Sequence, residues 1–252
     1  MKNLDLGFTE ILKAGNILEK LHSLGMEKVN FVGGEPMLYP LINDIIRMAK
    51  EMEFIVSITT NGSLLNEKSI KCMAPYVDWI GISIDSINES IEKELVRGFG
   101  NHIKHAVAAS DIIHEHGIRL KINSTVTKLS YMEDMRPLIS RLNPDRWKSF
   151  QVLHIKGQND EYFPQLSITG DEFEQFISKN QDIVLKGGAR PVFERCDDMV
   201  DSYFMISPSG NVILNTGGVY KEYPLADVER GELENILDTG KYLARGGRYN
   251  WN

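Results

Sequence analysis

Apolar residues at Phe8, Ile11, Leu12, Ile17, Leu18, Leu21 and Leu24 recur at the spacing of one helix face, and Gly25 follows where such a helix would stop. The apolar run from Val29 to Val32 then predicts a strand. Pro40 precedes a second helical pattern through Leu41, Ile45, Met48, Ala49 and Met52. That order repeats. Strand-like runs lie at 54–60, 79–84, 119–126 and 147–155, with helical stretches between them that include 101–116, closed by Gly117. Strands starting near 28, 54, 79, 119 and 147 have the spacing of crossovers between parallel strands, which predicts an α/β sheet curved into a full or partial barrel.

Beyond Ile155 the rhythm changes. Residues 156–165 and 185–191 have loop composition, and Thr169 with Glu172 forms a capping box before a short helix through Phe173, Phe176 and Ile177. SPSG, flanked by YFMI and NVIL, predicts a β-hairpin over 203–214, and a further helix is expected near 231–237. The chain therefore divides into a βα region, 1–155, and a C-terminal extension, 156–252, with a hairpin and short helices.

With 252 residues, 42% of them hydrophobic, the chain can bury a full core. It has no apolar run of the roughly 18 to 20 residues that span a bilayer, and its first residues lack the basic-then-apolar order of a secretion signal. A cytoplasmic location is expected. The net charge of −7 argues against nonspecific binding of nucleic acid. Cys72 and Cys196 lie far apart without CxxC spacing, which fits buried thiols better than a disulfide or a zinc site. His102, His105, His114 and His116 lack ligand spacing and are expected to be solvated, so no metal site is expected.

Parallel sheets bind ligands at the C-terminal ends of their strands. The strand ends here are unusually polar: Gly33, Gly34 and Glu35 after the first, Thr59 to Gly62 after the second, Ser83 and Asp85 after the third. A glycine pair lets main chain approach a ligand that a Cβ would hold off, and a neighbouring carboxylate accepts hydrogen bonds from an amine or a ribose. Period-two alternation puts Lys121 and Asn123 on one face of the fourth strand, and Arg146 and Lys148 on one face of the fifth. Cations facing into a barrel need anionic partners.

GGEP at 33–36, TTNGS at 59–63 and ISIDS at 82–86 together resemble the radical S-adenosylmethionine (SAM) superfamily, whose fold is a partial (β/α)6 barrel. Within it the chain resembles the viperin family, through GMEKVNFVGGEP at 25–36, KINS at 121–124, DRWKSFQVLHIKGQN at 145–159, DSYFMI at 201–206, ILNTGG at 213–218 and RGGRYNW at 245–251. The resemblance implies an enzyme that dehydrates CTP, UTP or GTP to the 3′-deoxy-3′,4′-didehydro form in antiviral defence. It places SAM at Gly33, Gly34, Glu35, Thr60, Ser83 and Arg97, and the triphosphate at Lys121, Asn123, Arg146 and Lys148. Lys28 and Tyr203 would face the ribose and help its 3′ hydroxyl to leave. Asp85 either touches ribose or caps the next helix, and Arg97 and Tyr203 have purely structural alternatives as a surface ion pair and a packed aromatic. A triphosphate carries close to four negative charges, which suits the cationic set. The resemblance further implies a monomer and a flavodoxin or ferredoxin as electron donor.

The family's chemistry also needs a 4Fe-4S cluster on CxxxCxxC, a motif absent from these 252 residues. Either the chain is N-terminally shortened, lacking a first strand and the cluster loop, or it is a relative that has lost the radical step. The bare edge that the strand at 28–32 would present favours the first, and no reductive SAM cleavage is expected of these residues alone. Two rivals are a cluster-less nucleotide-binding pseudoenzyme and a molybdenum-cofactor-type cyclase. The cyclases share the three strand-end motifs but place a second cysteine set near the C-terminus, where only Cys196 is available.

Overall fold

The computed structural model describes residues 10–217, 219–232 and 237–249. Phe8, Gly218, Asn250, Trp251 and most of the helix expected near 231–237 lie outside them. Six parallel strands form one sheet in sequence order: β1 (Lys28–Phe31), β2 (Ile55–Thr60), β3 (Trp79–Ser83), β4 (Arg119–Val126), β5 (Arg146–Gln151) and β6 (Val192–Glu194). The sheet is curled into a half-barrel, with helices along its outer face that include α1 (Ile11–Ser23), α2 (Ile42–Glu51), α3 (Glu67–Met73), α4 (Glu89–Glu94), α5 (His102–Glu115) and α6 (Arg136–Leu142). Gly25 and Gly117 take the left-handed conformation that ends α1 and α5, at φ 81° and 69°.

The outward strand residues Val56, Ile58, Ile80, Ile82, Leu120 and Ile122 are fully buried against these helices and form the centre of the core. β4 shows the consequence of covering one face only. Leu120, Ile122, Ser124 and Val126 are buried, whereas Arg119, Lys121, Asn123 and Thr125 on the other face are half-buried. A parallel strand packed on both faces is apolar throughout, so this alternation marks an inner face turned toward a lumen.

Three features differ from the sequence pattern. The sixth strand, at Val192–Glu194, belongs to the barrel sheet although it lies beyond residue 155, where the pattern ends the barrel. Its three residues are too few to register as a period. β5 stops at Gln151 rather than 155, because the Asn159 side chain accepts from the Ile155 amide at 2.9 Å and donates to the Leu153 carbonyl at 2.9 Å, curling the chain off the sheet. The hairpin gains a third strand: β7 (Met205–Ile206), β8 (Asn211–Thr216) and β9 (Val219–Pro224) form a separate antiparallel sheet. The capping box forms as expected, Thr169 and Glu172 exchanging bonds at the start of Gly170–Asn180.

Candidate functional site

Register brings the cations together. Lys121 pairs with Arg146 and Asn123 with Lys148 across β4 and β5, while Gly81 and Ser83 of β3 lie beside Lys121 and Asn123. All face the lumen. Gly81 is needed there: a Cβ would meet Thr59 Oγ1 at 2.9 Å and Asn123 Nδ2 at 3.5 Å.

The arginine is stacked and the lysines are crowded. The Arg146 guanidinium lies 3.7 Å from the centre of the Tyr249 ring and donates to the Gly246 carbonyl at 2.5 Å, while its Nε has no partner. Lys148 is buried and pairs with Glu194. Burial lowers its pKa and Glu194 opposes the fall, leaving it at about 8. Lys121 has no hydrogen-bond or ion-pair partner among the described residues, and Asn123 Oδ1 is buried and unpaired. Burial, then Lys148, Arg146 and Lys28, hold the Lys121 ammonium well below the ordinary lysine range. Such a group is costly until an anion arrives.

Lys28 enters from β1. Its Nζ donates to the Tyr249 hydroxyl at 2.5 Å and lies 4.9 Å from the Trp79 ring centre. Burial and then Arg146 bring its pKa down to about 7. Tyr203 sits elsewhere in the lumen, donating to Glu194 and lying 3.5 Å from Lys148 Nζ. Lys28 and Tyr203 thus meet different partners.

The tips of β1 to β3 are built differently. Gly33 has φ 144°, and a Cβ on Gly33 or Gly34 would meet nothing within 4 Å, so the bare backbone faces open space. Glu35 accepts from Thr60 Oγ1 at 2.6 Å, the Asn61 amide at 2.8 Å and the Met37 amide at 3.0 Å. Thr60 therefore positions Glu35. Arg97 pairs with buried Asp85 at 2.7 Å, and Asp85 also accepts from the Thr125 amide at 2.6 Å. The next helix is capped instead by Asn88. His102 is a correction to the sequence pattern: it is buried, with Nδ1 2.5 Å from Glu92 and Nε2 2.7 Å from the Asn61 carbonyl. Glu92 also accepts from the Asp85 and Ser86 amides, so one buried pair ties the ends of β2 and β3 together.

Sequence patterning missed Glu194, Arg245 and Tyr249. Arg245 stacks 3.8 Å from the Tyr203 ring centre and donates to Glu194 and to the Ser202 carbonyl. Both Arg245 and Tyr249 sit in the RGGRYNW stretch, and its glycines were the available signal. A Cβ at Gly247 would meet the Tyr242 carbonyl at 2.4 Å, so the segment can only turn inward with glycine there.

A half-barrel with a glycine shelf at its first strand ends has the architecture of the radical SAM enzymes. The Radical SAM superfamily model matches residues 8–142. An S-adenosylmethionine-dependent nucleotide dehydratase from a Thermoplasmatales archaeon is 39% identical over 231 residues, covering 92% of this chain and 82% of that one. One from Flammeovirga pacifica is 35% identical over 244 residues, covering 93% and 81%. Among solved structures, Streptococcus suis SuiB bound to S-adenosylmethionine aligns with 99% of this chain and 63% of its own, at TM-score 0.64 and 17% identity. Native anSMEcpe with bound AdoMet aligns with 96% of this chain and 76% of its own, at TM-score 0.63 and 12% identity. Those two likenesses are of fold. The chain belongs to the radical SAM superfamily and, within it, to the family of the S-adenosylmethionine-dependent nucleotide dehydratases.

The residues present fit one of the family's two cofactors. The open space above Gly33 and Gly34, beside a fixed carboxylate, suits the aminoacyl end of SAM. An iron-sulfur cluster does not fit: Cys72 is exposed, Cys196 is half-buried against the Val152 carbonyl, and no cluster of metal-binding side chains occurs among the described residues.

Proposed function

We propose that this half-barrel is the nucleotide- and SAM-binding body of a viperin-type dehydratase acting on CTP, UTP or GTP in antiviral defence. The observation that carries this is the lumen wall of β4 and β5, where Lys121, Arg146 and Lys148 face one space and Lys121 has no anion of its own. A triphosphate supplies the missing charge, its oxygens accepting hydrogen bonds from the Lys121 and Lys148 ammoniums, the Arg146 guanidinium and the Asn123 amide. SAM would supply the hydrogen abstraction that starts the family's dehydration only after one-electron reduction by a 4Fe-4S cluster, which the described residues do not hold, so these residues alone are expected to bind both ligands without turnover.

This chain's own residues place the nucleotide for that event. With the phosphates on β4 and β5, the sugar lies toward Lys28, while Tyr203, 3.5 Å from Lys148 Nζ and bonded to Glu194, borders the phosphate end rather than sharing Lys28's side. Lys28 Nζ, at a pKa of about 7, can give a proton to a departing hydroxyl near neutral pH. Glu35, fixed by Thr60 and Asn61, receives the SAM ammonium, and Ser83 and Arg97 line the same end of the sheet. A flavodoxin or ferredoxin donor and a monomeric state complete the proposal. Among the described residues no helix is long and apolar enough to cross a membrane.

Titration calorimetry with CTP, UTP, GTP and the matching nucleosides tests this reading and ranks the bases. Triphosphates should bind, nucleosides should not, and affinity should fall with added salt. Equal binding of nucleoside and triphosphate would overturn it.

A further inference from the structure

We propose that Glu194 is a positioning residue for polyphosphate binding, acting through Lys148 and Arg245 rather than by touching the ligand; this rests on the triphosphate reading of the lumen. Glu194 is fully buried at the end of β6, and both of its oxygens are used. Oε1 takes Lys148 and the Arg245 guanidinium, and Oε2 accepts from the Tyr203 hydroxyl. The three donors come from β5, from the turn before β7 and from the end of the helix Thr239–Ala244. One carboxylate therefore joins three separate segments at the wall where the phosphates would sit. Its negative charge would repel a phosphate, so it serves behind the cations and not beside the ligand.

The electrostatics agree with this placement. Facing Lys148 are Glu194 from β6, Arg245 from the C-terminal helix end, Tyr203, Arg146 on its own strand, Lys121 from β4 and Lys28 from β1. Burial and the cations push the Lys148 ammonium toward neutrality, and among these groups Glu194 is the anion that resists. A neutral glutamine would keep the shape and remove the resistance. Lys148 would then lose its proton near neutral pH, and a triphosphate would have to restore it on binding.

The test is calorimetry of CTP binding at about pH 7.5 in buffers of different ionisation enthalpy, which counts protons taken up. Lys28 and the nucleotide itself contribute equally in every variant, so the difference reports the two lysines whose protons Glu194 helps to hold, Lys148 beside it and Lys121 across the strand pair. Glu194→Gln should take up more protons per CTP than the wild type and bind about tenfold more weakly, with the deficit closing toward about pH 6. A wholly structural role would weaken binding alike at every pH with unchanged proton uptake, and that result overturns the proposal. If Glu194→Gln does not fold, Glu194→Asp keeps the charge but withdraws it by one methylene, and an intermediate rise in uptake is expected; uptake equal to wild type overturns the proposal. Wild-type protein that ignores CTP would remove the triphosphate reading and this inference together, whereas CTP binding insensitive to Glu194 removes this inference alone.

Discussion

The tips of β1 to β3 and the lumen wall of β4 to β6 are neighbouring parts of one sheet, yet they are prepared for ligands in opposite ways. At the tips every charge is already answered: Glu35 by Thr60 and two amides, Asp85 by Arg97 and Thr125, His102 by Glu92. The space for a ligand there is made by deleting side chains at Gly33 and Gly34. On the lumen wall the charges are left in excess, with Lys121, Arg146 and Lys148 set against one buried carboxylate. A site made by shape can wait in its bound form at little cost, whereas a site made by unbalanced charge stores a penalty that only the matching ion relieves.

The largest way to break that contrast is to remove the excess charge. The double variant Lys121→Met, Arg146→Met should lose about a hundredfold or more in CTP affinity, since a charge-assisted hydrogen bond is worth ~1.5–3 kcal/mol and two groups are removed. SAM affinity, measured alongside by calorimetry, should change little. Comparable losses for both ligands would mean that the two regions act as one site.

Gly81 lies on the boundary between them. The Cβ of Gly81→Ala would press on Thr59 Oγ1 at 2.9 Å and on the Asn123 amide, an overpacking that typically costs about 1–3 kcal/mol. Urea unfolding should show that loss, together with weaker CTP binding through a displaced Asn123. Wild-type stability would show that the lumen wall yields more easily than its packing implies.

How much of this could be seen in the chain alone follows the same division. The strand-end glycines, Glu35 and Thr60 are local in sequence, and the alternation of Lys121 with Asn123 and of Arg146 with Lys148 needs only a strand's period of two. Those expectations match β4 and β5; the register that sets the two pairs side by side is what the structure adds. Glu194, Arg245 and Tyr249 were not legible, because their meaning lies in contacts made across long sequence separations, such as the Lys28–Tyr249 bond. A three-residue strand cannot announce itself by period. His102 was misjudged for a related reason: its place on α5 looks solvent-facing by pattern, but the loop carrying Asn61 folds over it. Burial works against its charge, and the bonds to Glu92 and Asn61 outweigh burial and raise its pKa.

The cationic wall should also show itself in the pH dependence of stability. Lys28 titrates at about 7 and Lys148 at about 8 in the folded chain, against an ordinary 10.5. Between those values and 10.5 the unfolded chain binds protons that the folded chain does not, so unfolding free energy rises with pH in that window. The melting temperature of the free protein should therefore climb between about pH 7 and about pH 9, less so in Lys28→Met, and the climb should flatten with saturating CTP. A slope that ignores CTP would separate these lysines from the nucleotide.

The smallest expected effect probes the other region. Thr60 is buried, and its hydroxyl gives Glu35 one of three hydrogen bonds, the other two coming from main-chain amides. Thr60→Val keeps the volume and removes two bonds of the kind worth ~0.5–1.5 kcal/mol, the one to Glu35 and the one that Thr60 Oγ1 accepts from the Gly62 amide at 3.1 Å; the two amides still hold the carboxylate in place, with slightly more freedom. SAM affinity should fall by about two- to tenfold, and CTP affinity should stay as it was. If instead CTP binding weakens as much as SAM binding, the network through Asn61, His102 and Glu92 carries strain from the strand tips into the lumen wall. The two regions would then be coupled through that buried pair, and the independence claimed for them would fail.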